Sequence, residues 1–114
     1  AKRAKVFAAV QQLRTLGHLV DVHQLTKNPD ALEATYETTE SSPVRRLTAF
    51  EMSRYLDYCT EMLSLIGKIA ALYCEGFEDD QSLEAVTDLE QMTIGLQRKI
   101  WQKIAILERH TSAQ

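Results

Sequence analysis

Between residues 52 and 73, apolar side chains recur at Met52, Leu56, Cys59, Leu63, Ile66, Ala70 and Tyr73. The steps alternate four and three without a miss. A helix turns once in about 3.6 residues, so this spacing keeps returning to one face, whereas a strand requires a period of two. The segment predicts a helix with a heptad seam. Tyr55, Met62 and Ile69 flank that seam, and Tyr58, Leu65 and Leu72 add a further stripe. The coherent polar face is narrow: Arg54, Asp57, Glu61, Ser64 and Lys68. A helix this apolar is expected to be buried on most of its circumference, either central in a bundle or shared with another subunit.

Two further periodic segments accompany it. From about residue 3 to 25, Val6, Val10, Leu13, Leu16 and Val20 take helical steps, and they are the expected inward face. Gly17 is a candidate stop, but Leu19, Val20 and His23 continue the stripe, so the helix is expected to run through it at a cost of ~1 kcal/mol relative to Ala. From about residue 79 to 110 the stripe is Leu83, Val86, Leu89, Met92 or Thr93, Leu96, Ile100, Ile104 and Leu107. The central helix has two candidate starts: Ser42-Pro43, giving a helix over about 43–75, and the capping box Thr48-Ala49-Phe50-Glu51. Gly76 suits its C-terminal end. Residues 26–42 read as a loop with room for a short helix over Pro29–Tyr36. Only Glu75 to Glu78 separates the second and third helices, so they must pack antiparallel.

The expected fold is therefore all-α: a long antiparallel helical hairpin plus an N-terminal helix, a three- to four-helix bundle that self-associates. The 114 residues fit one domain. Only 4 Gly and 2 Pro leave few turns for an all-β chain. Cys59 and Cys74, if on one helix, are about 22 Å apart, beyond disulfide reach. They read as reduced core thiols, which points to the cytoplasm. No apolar run is long enough to cross a membrane, and the basic-then-apolar start AKRAKVFAAV lacks the cleavage pattern of a signal peptide.

The stretch LGHLVDVHQL holds two of the 3 histidines, His18 and His23, around Asp21. On a helix they are separated by about 140° around the axis, and on a strand they face opposite sides, so neither geometry brings both to one metal ion. With the first helix packed by Val6, Leu13, Leu16 and Val20, His23 falls at the core edge and His18 in solvent. An exposed histidine on a small acidic helical chain raises the alternative of a histidine phosphotransfer protein with His18 as phosphoacceptor. The local residues depart from that family: Val20, Asp21 and Val22 stand where Leu, Lys and a small residue are usual, and Asp21 would repel a phosphoryl group. The sequence carries no Gly-x-Ser-x-Gly, no phosphate-binding Gly-rich loop and no His-Glu-x-x-His.

Three basic clusters stand along the chain: Lys2, Arg3, Lys5 and Arg14; Arg45 and Arg46; Arg98, Lys99 and Lys103. With a net charge of −3 they disfavour nucleic-acid binding, and a nucleic-acid-associated helical regulator is the second alternative. Residues 75 to 90 carry acids and no base, an arrangement that suits the start of a helix and that would also attract a basic partner. The expectation is a non-enzymatic helical interaction module, an adaptor, chaperone or regulatory subunit, with no catalytic residue, metal or cofactor. Its expected partners are a protein and a second copy of the chain, as a homodimer. The interface candidates are Tyr55, Tyr58, Met62, Leu65, Ile69, Leu72 and Trp101.

Overall fold

A computed structural model describes residues 1–26 and 47–112, with side chains to 109. The described chain is all helical: α1 (Lys2–Leu25), α2 (Ala49–Tyr73) and α3 (Asp80–Ser112). The expected short helix over 29–36, the Ser42-Pro43 start, Arg45, Arg46 and the side chain of His110 lie outside the described residues.

The start of α2, its end and the start of α3 each have a local cause. The capping box starts α2: Thr48 Oγ1 accepts from the Glu51 amide at 3.0 Å and the Thr48 amide donates to Glu51 Oε1 at 3.1 Å. After α2, Gly76 adopts φ +71, a left-handed conformation that costs glycine little. It stands two residues beyond the C-cap Cys74, and the Phe77 amide closes back onto Cys74 O at 3.0 Å. Asp79 caps α3, accepting at Oδ2 from the Ser82 amide at 2.9 Å and the Ser82 hydroxyl at 2.7 Å.

The turn reverses the chain, so α3 runs antiparallel to α2. Contacts of α1 with α3 advance together, from Arg3–Asp79 through Arg14–Met92 to Gln24–Lys103, so those two helices are parallel. The result is an up-down-up bundle. Its core seams step by four and three: Val6, Val10, Leu13, Gly17, Val20 and Gln24 on α1; Met52, Leu56, Cys59, Leu63, Ile66 and Ala70 on α2; Ser82, Val86, Leu89, Thr93, Leu96 and Ile100 on α3, with Leu107 one heptad further on.

Several expected inward residues are corrected. Leu16 is half exposed because the seam of α1 passes through Gly17. Leu83 is exposed because Ser82 takes the seam position beneath Asp79, and Thr93 rather than Met92 is the fully buried member of its pair. Tyr73 stands at the surface where α2 runs out. Nor is α2 buried on most of its circumference: Tyr58, Met62, Leu65, Ile69 and Leu72 are all exposed.

The polar core positions are satisfied. Gln24, fully buried, donates from Nε2 to Asp21 Oδ1 at 2.9 Å and accepts at Oε1 from Lys103 Nζ. Lys103 also reaches the Gln24 carbonyl at 3.4 Å, placing a cation at the C-terminal end of α1. Burial pulls the Lys103 ammonium below its ordinary value, opposed by the nearby Asp21. Thr93 hydroxyl donates to Glu90 O at 2.8 Å. No described buried side-chain polar atom lacks a partner.

Two glycines lie where helices approach closely. A Cβ on Gly17 would sit 2.8 Å from Met92 Cε, and one on Gly67 would sit 3.1 Å from Thr93 Oγ1. Gly95, by contrast, is exposed with nothing within 4 Å of an added Cβ. Gly95→Ala should therefore stabilise the fold by about 0.5–1 kcal/mol through helix propensity alone. Gly67→Val should destabilise it by about 1–3 kcal/mol by pushing α3 away. Urea unfolding followed by circular dichroism reads both, and a loss on Gly95→Ala or a gain on Gly67→Val would contradict this packing.

At the turn, Arg3 Nε donates to both Asp79 oxygens at 3.0 and 3.1 Å, tying the start of α1 to the start of α3. The hydrogen bond from Arg3, and then those from Ser82, hold the Asp79 carboxyl well below its ordinary 3.8. A depressed carboxyl contributes stability that is complete above its unfolded value and drains as pH falls through the folded one. Wild-type stability should therefore decline below about pH 4, and Asp79→Asn should show a weaker acid dependence over the same range. Denaturant midpoints from pH 6 to 2 measure this; parallel curves for the two proteins would refute the linkage.

Candidate functional site

Exposed apolar side chains are ordinary singly and informative in a row. On α2, Tyr58, Met62, Leu65, Ile69 and Leu72 step by four and three, which makes a second heptad seam about 120° around the helix from the buried one. Among the described residues nothing covers it. Beside it α1 presents Leu16 and Leu19, 50% and 59% exposed. Between the two helices runs an open groove of about 620 Å3, lined by Leu16, Leu19, His23, Tyr55, Tyr58, Met62 and Leu65, with Val20, Cys59 and Ile66 at its floor.

One polar contact closes an end of this groove. The Tyr55 hydroxyl bonds to Nδ1 of His23, with ring centroids 5.7 Å apart. Burial first, and then the neighbouring Cys59 thiol, pushes the Tyr55 hydroxyl well above its ordinary value, so it stays protonated. Burial likewise pushes up the thiols of Cys59 and Cys74, both of which are free. A protonated thiol is a poor nucleophile.

Of the residues picked out as interface candidates, the fold brings Tyr55, Tyr58, Met62 and Leu65 into the groove. Ile69 and Leu72 continue the same stripe toward the turn. Trp101 is exposed on α3 and does not line the groove. Leu16, Leu19 and His23 are the groove residues that hydropathy alone does not single out. The signal for them is the unbroken four-three step through Gly17 and Gln24, which turns Leu16 and Leu19 outward.

His18 is exposed on α1, away from the groove lining, and His23 is exposed rather than at the core edge. Among the described residues they share no partner. Among the described residues, no group of three or more His, Cys, Asp or Glu side chains could hold a metal ion, and no helix is long and apolar enough to cross a membrane. Several members of the basic clusters turn inward on the chain itself. Arg3 binds Asp79, Lys103 binds Gln24, Lys2 stands 4.8 Å over the Phe77 ring, and Arg14 donates to Met92 Sδ at 3.6 Å. The acidic stretch is in part structural too, since Asp79 is the cap of α3 and the partner of Arg3.

No family model matches the chain, and neither a search of curated proteins nor one of solved structures finds a match.

The two seams of α2 differ in what they do for the isolated fold. Leu63→Ala in the buried seam should cost about 2–5 kcal/mol, whereas Leu65→Ala in the exposed seam should stay within about 0.5 kcal/mol at dilute protein. Equal losses in urea unfolding would mean that Leu65 packs inside the bundle.

Proposed function

We propose that the protein is a non-enzymatic helical interaction module, an adaptor, chaperone or regulatory subunit, that works by seating a protein helix in the α1–α2 groove. The observation that carries this reading is the second heptad seam of α2, exposed among the described residues and flanked by Leu16 and Leu19. Apolar residues at four-three spacing are what an amphipathic helix meets when it lies in a groove. Tyr and Met supply contact area that adapts to a partner, and Tyr55 and His23 offer the polar point that fixes its position. Free thiols, both held protonated, agree with a reducing compartment such as the cytoplasm.

A photo-crosslinking residue at Met62 tests the reading. In cell extract or in the pure chain, it should capture a protein in high yield, while the same residue at exposed Glu84 on α3 should capture none. Leu19→Lys combined with Leu65→Lys should abolish the capture without loss of helical circular dichroism, and His18→Ala should leave it intact. No capture at Met62 in either sample would overturn the reading.

A further inference from the structure

We propose that the exposed stripe of α2, with the Leu16–Leu19 edge beside it, is covered by a second copy of this chain, docked antiparallel across a two-fold axis that passes beside Leu65; this rests on the reading of that face as an interaction surface. The apolar stripe has edges of different character. On the α1 side lie Leu16, Leu19, His23 and Tyr55. On the other side Arg54, Glu61 and Lys68 follow one another at intervals of two helical turns, and Glu75, seven residues further on, stands in the turn just past the C-cap of α2, all exposed. Glu61, Lys68 and Glu75 make no ion pair among the described residues, and Arg54 rests on its neighbour Tyr58, donating to the hydroxyl at 2.9 Å.

This asymmetry selects the direction. When two such layers meet face to face with their α2 helices antiparallel, like edges coincide: α1 stands beside the partner's α1, and the charged rows face each other. A parallel pair would instead lay each charged row on the Leu16–Leu19 edge of the other copy, desolvating charges against apolar side chains.

The order of the charges then selects the register. With Leu65 near the axis, Glu61 faces the partner's Lys68 and Arg54 faces the partner's Glu75, each twice by symmetry, and every pair is attractive. Shifting the helices by one heptad in one direction places Lys68 against the partner's Lys68 and Glu61 against the partner's Glu75. The opposite shift places Glu61 against the partner's Glu61 and Arg54 against the partner's Lys68. Both shifts make every pair repulsive, so one register out of three is electrostatically consistent. In that register the apolar stripe is self-complementary, because Met62 approaches the partner's Ile69 and Tyr58 approaches the partner's Leu72. Charge rows beside an apolar seam are the means by which helix pairs fix orientation and partner.

Sedimentation equilibrium of the full chain at low salt should return about 26 kDa, twice the 13.0 kDa of one chain. Glu61→Lys alone and Lys68→Glu alone should each weaken the dimer by about tenfold, and the double variant should recover to within about twofold of wild type. Leu65→Lys should leave a monomer with unchanged helical circular dichroism. A 13.0 kDa species at millimolar concentration would overturn the dimer. A dimer indifferent to the single charge reversals, or one not recovered by the double variant, would overturn this register. The Met62 crosslinker separates this proposal from the reading it rests on: capture of a different protein in extract with none in the pure chain sinks the dimer and leaves the interaction module standing.

Discussion

The close approach of the three helices at mid-height is the constraint on which the rest depends. Gly17 of α1 leaves room for Met92, and Gly67 of α2 leaves room for Thr93, so adjacent residues of α3 fill both spaces. Small residues at one level draw the helix axes together there. Larger side chains such as Leu56, Leu63, Leu89 and Ile100, all fully buried, fill the rest of the core. The glycines each carry a helix-propensity cost of about 1 kcal/mol. That cost is offset by contact between helices, which a side chain at Gly67 would prevent and one at Gly17 would force Met92 to yield.

This same constraint explains what could and could not be read from the sequence. The seam of α2 was legible because all its positions from Met52 to Ala70 are apolar. On α1 the seam passes through Gly17 and Gln24, which hydropathy does not mark, so Leu16 looked inward and is not. On α3 Ser82 replaces the more obvious Leu83 for a comparable reason: its hydroxyl and amide are engaged by Asp79, so a polar residue is at home in the core. The α2 half of the groove, Tyr55, Tyr58, Met62 and Leu65, was visible as surplus apolar surface. The α1 half was hidden, because Leu16 and Leu19 are outward only once Gly17 is recognised as a core residue. Trp101 drew attention by its type, and its position on α3 separates it from the groove.

Polar groups do the remaining work of fixing how the helices are placed. Arg3 and Asp79 join the start of α1 to the start of α3, while Lys103, Gln24 and Asp21 join the end of α1 to the later part of α3. These two ties, far apart along the bundle, make α1 parallel to α3 in one register. A one-heptad slip of α1 would strand Gln24 without the Lys103 ammonium, and a buried amide without its partner costs about 1–3 kcal/mol. Apolar packing alone tolerates such slips better than it tolerates an unsatisfied polar atom.

With α1 held in that register, the outcome for α2 follows. A helix in a three-helix bundle has one seam facing its two neighbours, and α2 carries two. The first, Met52 to Ala70, is used in the core. The second, Tyr58 to Leu72, cannot also turn inward, since the two lie about 120° apart around one axis. Rotating α2 to bury the second would expose Leu56 and Leu63, both now fully buried. Exposure of Tyr58, Met62 and Leu65 is therefore a consequence of the core being well filled rather than of loose packing. The ties that hold α1 also place Leu16 and Leu19 along one edge of that seam, while Arg54, Glu61 and Lys68 of α2, with Glu75 in the turn after it, form a charged row along the other. The groove thus has direction as well as hydrophobicity, and a partner helix that matches only its apolar stripe would leave the charges on that edge unanswered.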